Sequence, residues 1–327
     1  MTVLIFTAMT SFHAKPRFPR GFRCASRNVG LKPEAKVLTI FVSAVEASAA
    51  AVFTRNHFPG APIILGRETI RGGRLKAIVA NSKISNVATG ARGVENARRM
   101  AAAAAAELGT SADRVLVSST GVIGVQLPVE RIEAGIRGMA AELQDDPLVG
   151  AAGIMTTDTH PKAISASVGD ATITWVAKGS GMIEPNMATM LSYIFTDAAL
   201  DAVTLDRLLR AAVSRSFNML SVDTDTSTSD TCAILANGLA GAVDETEFLR
   251  VLSAGCAGWN AGDDEIPLRI KDVASPEQAR PPVRHVGVGG ERMADPDDVF
   301  FRSVQRAVGV VGDGQFRQGA ASFQWEG

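Results

Sequence analysis

The stretch Lys178-Gly179-Ser180-Gly181-Met182-Ile183-Glu184-Pro185-Asn186-Met187-Ala188-Thr189-Met190-Leu191 holds the residues best suited to chemistry in this sequence. Two glycines and a proline give it an irregular, tightly turned backbone, and Thr189 opens the apolar run Met190 to Phe195. A threonine hydroxyl is a weak nucleophile; it needs a base nearby and donors aimed at the oxygen on which charge develops. From local physics alone the stretch reads as a connection before a strand. A second unusual run, Asp223-Thr224-Asp225-Thr226-Ser227-Thr228-Ser229-Asp230, consists of short side chains that bond their own backbone. It reads as a structural loop, although its composition could also hold a metal. The four histidines (His13, His57, His160, His285) stand in no hydrolase motif. Cys24, Cys232 and Cys256 are far apart and odd in number, which fits neither a disulfide framework nor paired zinc ligands. Cys232 reads as a small core hydrophobe.

With 327 residues and 46% hydrophobic content, the chain can bury a sizeable core. Acids and bases are interspersed and the formal net charge is -1, so nothing suggests nucleic acid or an anionic membrane surface, and a small molecule is the expected partner. No run approaches the ~18 apolar residues of a membrane span. Apolar runs at Leu75 to Ala80 and Arg114 to Ser118 predict short buried strands, and Ile164 to Ala177 predicts two strands turning at Gly169-Asp170. Further strand-like runs are Asn218 to Val222 and Thr231 to Ala236. Helices are expected over Glu95 to Leu108, stopping at Gly109, and after Pro128 through Val129, Ile132, Ile136, Met139 and Leu143. Two more are expected, one after Thr204 and one opened by an Asp244/Glu247 capping box.

Several of these segments together resemble the ornithine acetyltransferase (glutamate N-acetyltransferase) family, of the bifunctional arginine biosynthesis (ArgJ) type. The block from Lys178 to Leu191 is similar to its self-cleavage motif. Pro19-Arg20-Gly21-Phe22-Arg23, Ala51-Val52-Phe53-Thr54-Arg55-Asn56, Ser118-Ser119-Thr120-Gly121-Val122-Ile123-Gly124, Met155-Thr156-Thr157-Asp158-Thr159 and Asp223 to Thr231 resemble further signatures in the same order. The resemblance implies an α/β fold of mixed layered sheets and helices. It implies cleavage between Ala188 and Thr189, with Thr189 as nucleophile; because an unstrained amide gains nothing from shifting to an ester, a turn through Pro185 and Asn186 is expected to hold the bond distorted. It also implies an oxyanion hole at Thr120 and Gly121, and substrate contacts from Thr156 (or its neighbour Thr157), Lys178 and Thr189. The freed α-amine of Thr189, with a reference pKa of about 8, suits it as base for its own hydroxyl. Acetyl would pass from N-acetylornithine to glutamate by ping-pong exchange, with no organic cofactor or metal and with acetyl-CoA as a further candidate co-substrate. The two fragments would stay associated, as a heterotetramer.

The resemblance divides the chain into a disordered leader (1–16), a first fragment (17–188), a second, incomplete fragment (189–254) and a divergent tail (255–327). The family's later glutamate, in a Gly-Glu-Gly context, has no match; Glu265 stands in Asp263-Asp264-Glu265-Ile266-Pro267. Three readings follow: an active transferase, an N-terminal-threonine aminopeptidase or amidase, and an inactive remnant. The expected location is the cytoplasm, or the mitochondrial matrix if the acid-free, basic N-terminus is a transit peptide.

Overall fold

The computed structural model describes residues 10 to 33, 35 to 179, 191 to 219 and 226 to 258. Its strands are β1 (Phe22–Arg27), β2 (Leu38–Phe53), β3 (Arg74–Asn81), β4 (Val115–Ser119), β5 (Lys162–Val168), β6 (Ala171–Lys178), β7 (Leu191–Ala198) and β8 (Thr231–Gly241). They hydrogen-bond in the order β4-β3-β2-β8-β7-β6-β5, with β1 also on β2. The long strand β2 organises the set. Its first half lies between β1 and β3, its register breaks between Val42 and Ala47, and its second half pairs with β8. The break lets one continuous strand serve two leaves that fold face to face.

Side-chain alternation then sorts the core into layers. Leu38, Ile40 and Val42 face outward into a cluster with Val115, Val117 and the alanines of α2 (Gly90–Leu108), together with Ile132 and Ile136 of α3 (Val129–Ile136). Phe41, Ala47, Ala49 and Ala51 face the inner core, which they share with Leu191, Tyr193 and Phe195 of β7. The ring of Phe41 lies 5.4 Å from Tyr193 and 5.2 Å from Phe195. The outer side of the second leaf, with Trp175 and Ile194, is covered by α5 (Ala202–Ser214) and α6 (Glu245–Gly258). Ala151 and Ile154 of α4 (Pro147–Ile154) enter the inner core, and α1 (Ala61–Thr69) completes the helices. The result is helix, sheet, sheet, helix.

The expected strands over 75–80, 114–118, 164–177 and 231–236 are present, and α2 ends at Gly109 in the left-handed conformation (φ 63). The helix after Pro128 is shorter than its periodicity predicts. It stops at Ile136 because Arg27 bonds the carbonyls of Gly135 and Arg137 at 2.8 Å, while Glu107 accepts from the N–H groups of Gly138 and Ala140. These partners cap the helix end, and Met139 reaches the core from a 3-10 turn instead. α5 starts earlier than expected, since the Asp201 carboxylate accepts from the N–H groups of Val203 and Thr204. Of the strand expected at Asn218 to Val222, the described part is a 3-10 turn, Phe217–Met219.

Residues 10 to 16, the described part of the expected leader, lie along β5. β5 ends the strand order, and this segment covers part of its outer edge: the His13 N–H donates to the Ser165 carbonyl at 2.8 Å, and Phe12 packs on Trp175. In the expected tail, residues 255 to 258 complete α6, with Gly255 packed against the Trp175 ring. Residues from 259 onward lie outside the described part.

Candidate active site

Polar residues gather where the ends of several strands meet the loops. Alternation along β6, β7 and β8 puts Lys178, Leu191 and Thr231 in one row, Leu191 pairing with Lys178 on one side and with Thr231 on the other. On the first leaf, Ser118 of β4 is the polar neighbour of the buried Tyr193 phenol across the inner core. Thr120 follows Ser118 by two residues, and Leu191 precedes Tyr193 by two. Thr189 and Ala188, together with Pro185 and Asn186, lie outside the described residues; β7 begins two residues after Thr189.

The Thr120-Gly121 turn is fastened along the loop that follows β3. The Thr120 N–H donates to the Asn81 carbonyl at 3.0 Å, the Val122 N–H to Lys83 at 3.0 Å and the Gly124 N–H to Val87 at 2.9 Å, while the Val122 carbonyl accepts from the Ser85 N–H at 3.0 Å. Neither the Thr120 hydroxyl nor the Gly121 N–H bonds another described residue. Gly121 has φ +129, and a Cβ there would stand 2.2 Å from the Lys83 carbonyl carbon. Only glycine fits so close an approach.

Asp158 joins the Thr156 loop to the end of β6. Its carboxylate, 1% exposed, accepts from the Gly179 N–H at 2.9 Å and from the Thr156 N–H at 3.3 Å, and pairs with Lys162 at 3.4 Å. Burial acts to raise its pKa, but the two N–H donors, Lys162 and Lys178 outweigh burial and hold it below the ordinary value. Its folded pKa lies below its unfolded one, so its contribution is complete above about pH 4 and fades as pH falls through the folded value. We expect Asp158→Asn to cost about 2–3 kcal/mol at neutral pH. In urea titrations that gap should close on acidification below about pH 4; a gap independent of pH would refute this account.

Lys178 is 3% exposed, and burial pushes its amine down to about 8 against the attraction of Asp158 and Asp230, with Lys83 adding repulsion. At pH 7 the fold therefore holds a desolvated cation, which opposes stability below pH 8 and ceases to do so as pH approaches the unfolded value near 10.5. Lys178→Met is expected to raise stability at pH 7 by about 1–2 kcal/mol, with the gain disappearing between pH 8 and 10.5. Melting temperatures of the two proteins across that range test it. A residue that costs stability at neutral pH is typical of a functional site.

The structure thus brings Thr120, Gly121, Thr156 and Lys178 into one connected region. Thr156 is half-buried and bonded through its backbone, whereas Thr157 is exposed. Two members were missed in the sequence, Asp158 and Lys83; Asp158 stood inside a quoted motif without signalling its role. The loop ending at Asp230 is tied to Thr54 and Asn56, whose side chains donate to the carbonyls of Ser227 at 2.6 Å and Thr226 at 2.8 Å. Among the described residues no group of three or more His, Cys, Asp or Glu is arranged to hold a metal, and no helix is long and apolar enough to cross a membrane. Cys232 is buried in the outer core of the second leaf, and burial drives its thiol pKa well up.

The ArgJ family model matches residues 23 to 259, most of the described chain. This chain belongs to the ArgJ family. An arginine biosynthesis bifunctional protein ArgJ 2 of Clostridium acetobutylicum is 48% identical over 241 residues, 73% of this chain and 62% of that protein. The chain thus spans about three fifths of that ArgJ relative. The glutamate N-acetyltransferase Oat2 of Streptomyces clavuligerus is 40% identical over 295 residues, 90% of this chain and 72% of its own length. A match over 90% of this chain runs past residue 258. The crystal structure of the Mycobacterium tuberculosis ornithine acetyltransferase, complexed with ornithine, superimposes with a TM-score of 0.51 at 32% identity, covering 56% of this chain and all of that one. The layered mixed α/β fold is that of the ArgJ ornithine acetyltransferases.

Proposed function

We propose that the protein is a self-cleaving acetyltransferase that moves acetyl from N-acetylornithine to glutamate through an acetyl-Thr189 ester. The observation that carries this reading is the convergence of three parts: donors at Thr120-Gly121 that bond no other described residue, a buried amine at Lys178, and the start of β7 two residues after Thr189. Two peptide units span at most about 7–8 Å, so Thr189 is tethered close to the row of Lys178, Leu191 and Thr231. In maturation the Thr189 hydroxyl attacks the Ala188 carbonyl, the C–N bond breaks as the nitrogen takes up a proton, and water hydrolyses the resulting ester. The free α-amine then serves as base. In transfer, Thr189 Oγ attacks the acetyl carbonyl and ornithine leaves with its α-nitrogen protonated; the amine of glutamate then attacks the ester and regenerates the hydroxyl. Thr120 and Gly121 stabilise the oxyanion at each addition.

Lys178 is the partner for the substrate carboxylate, which replaces the water it lost on burial, and Thr156 borders the same space. One amide forms as another breaks, so the exchange needs neither an organic cofactor nor a metal; acetyl-CoA is a candidate second donor. The cleaved fragments are proposed to remain together and to pair as a heterotetramer in the cytoplasm. Incubating the protein with N-acetylornithine labelled in the acetyl group, plus glutamate, tests the reading by mass spectrometry. Labelled N-acetylglutamate and a labelled acetyl on the Thr189 fragment are expected. Labelled acetate alone would point to an amidase, and absence of turnover to an inactive remnant.

A further inference from the structure

Lys83 occupies a backbone conformation that lysine seldom adopts. Its φ is 82, in the left-handed region, where a Cβ meets steric resistance that glycine avoids. The surroundings hold it there at both ends. Its carbonyl accepts from the Val122 N–H at 3.0 Å, and its backbone fills the space where Gly121 has no Cβ. Its side chain runs the other way, and Nζ donates to the carbonyls of Met155 at 3.0 Å and Thr156 at 3.4 Å. One residue therefore touches the Thr120-Gly121 turn with its main chain and the Thr156 loop with its amine, a loop that Asp158 ties in turn to Gly179 beside Lys178.

We propose that Lys83 is a positioning residue, a strut that fixes the separation between the oxyanion turn and the substrate-binding threonine loop. It does not bear on the reacting atoms itself. Its amine donates to two carbonyls of the Thr156 loop, and its left-handed backbone packs directly against Gly121. An outlier conformation retained beside candidate chemistry, with a side chain bridging to a distant loop, fits a role in preorganisation. The activity part of this inference rests on the function proposed above; the structural part does not.

The test compares Lys83→Gly and Lys83→Ala with the full wild-type chain. Glycine removes both the amine and the left-handed strain, whereas alanine removes the amine and keeps the strain. Both should lower kcat for acetyl transfer by about tenfold or more with KM little changed. Lys83→Gly should nevertheless melt at or above the temperature of Lys83→Ala, which a loss of activity through lost stability would not give. Hydrogen exchange of the amides at residues 156 to 159 should be faster in both variants than in the wild type. Unchanged exchange there overturns the proposal, and so does an unchanged kcat in an active wild-type background. If the wild type performs no transfer, the functional reading fails, and the exchange comparison alone still decides the role of Lys83.

Discussion

Replacing Thr189 with alanine is expected to leave a single uncut chain of 34.3 kDa and to abolish acetyl transfer. In the proposed mechanism both steps use the same hydroxyl, so no partial phenotype would separate them. The loss should reach about four orders of magnitude or more, the scale on which removal of an enzyme's nucleophile is measured. Intact mass and N-terminal sequencing make the prediction sharp. Wild type should give a fragment beginning Thr189-Met190-Leu191, and the alanine variant should not. Thr189→Ser restores a hydroxyl on the same Cβ and should restore cleavage, more slowly because its rotamer is less constrained. Cleavage of the alanine variant before residue 189 would show that another group does the work. An uncut wild type would remove self-cleavage from this protein altogether.

The fold was legible in the sequence wherever a run of residues answers to its own local pattern. The two strands over Ile164 to Ala177 and the helix ending at Gly109 follow from apolar spacing and a single glycine. The bend in β2 does not, because its residues from Leu38 to Phe53 are mostly small or apolar and give no sign of where one leaf ends and the next begins. Nor does the early stop after Ile136, which is dictated by Arg27 and Glu107, residues remote in sequence. The site divides in the same way. Thr120, Gly121, Thr156, Lys178 and Thr189 were reached through resemblance, since each taken alone is an ordinary turn, surface or strand residue. Asp158 and Lys83 were not reached at all. What distinguishes them is burial and long-range partners: Asp158 acts on Gly179, 21 positions away, and Lys83 on Met155, 72 positions away. The first forms only once β5 has paired with β6, and the second only once the loop after β3 has met the end of α4. The segment at Ala188-Thr189 lies outside the described residues, so the proposed nucleophile is tied to this site through chain connectivity and through Leu191.

Gly121→Ala is expected to lower both self-cleavage and acetyl transfer by about 10²–10³-fold, as removal of an oxyanion donor does. The reasoning is steric. The added methyl would lie 2.2 Å from the carbonyl carbon of Lys83 and 2.5 Å from its oxygen, so backbone must move, and the backbone that moves carries the proposed donors. The positive φ alone is not enough to predict such a loss. Gly124 in the same loop has φ +83 with nothing within 4 Å of its missing Cβ, so Gly124→Ala bears the conformational cost, about 1 kcal/mol, without displacing a neighbour. The pair of variants separates strain from displacement. Gly124→Ala should lose some thermal stability and keep most of its activity. Gly121→Ala should lose activity far beyond what its melting temperature explains, with kcat falling more than KM rises, because donors aimed at the oxyanion act in the transition state more than in substrate binding. Equal activity in the two variants would mean that the Thr120-Gly121 turn can shift without consequence, and the oxyanion assignment would have to move to other donors near β7.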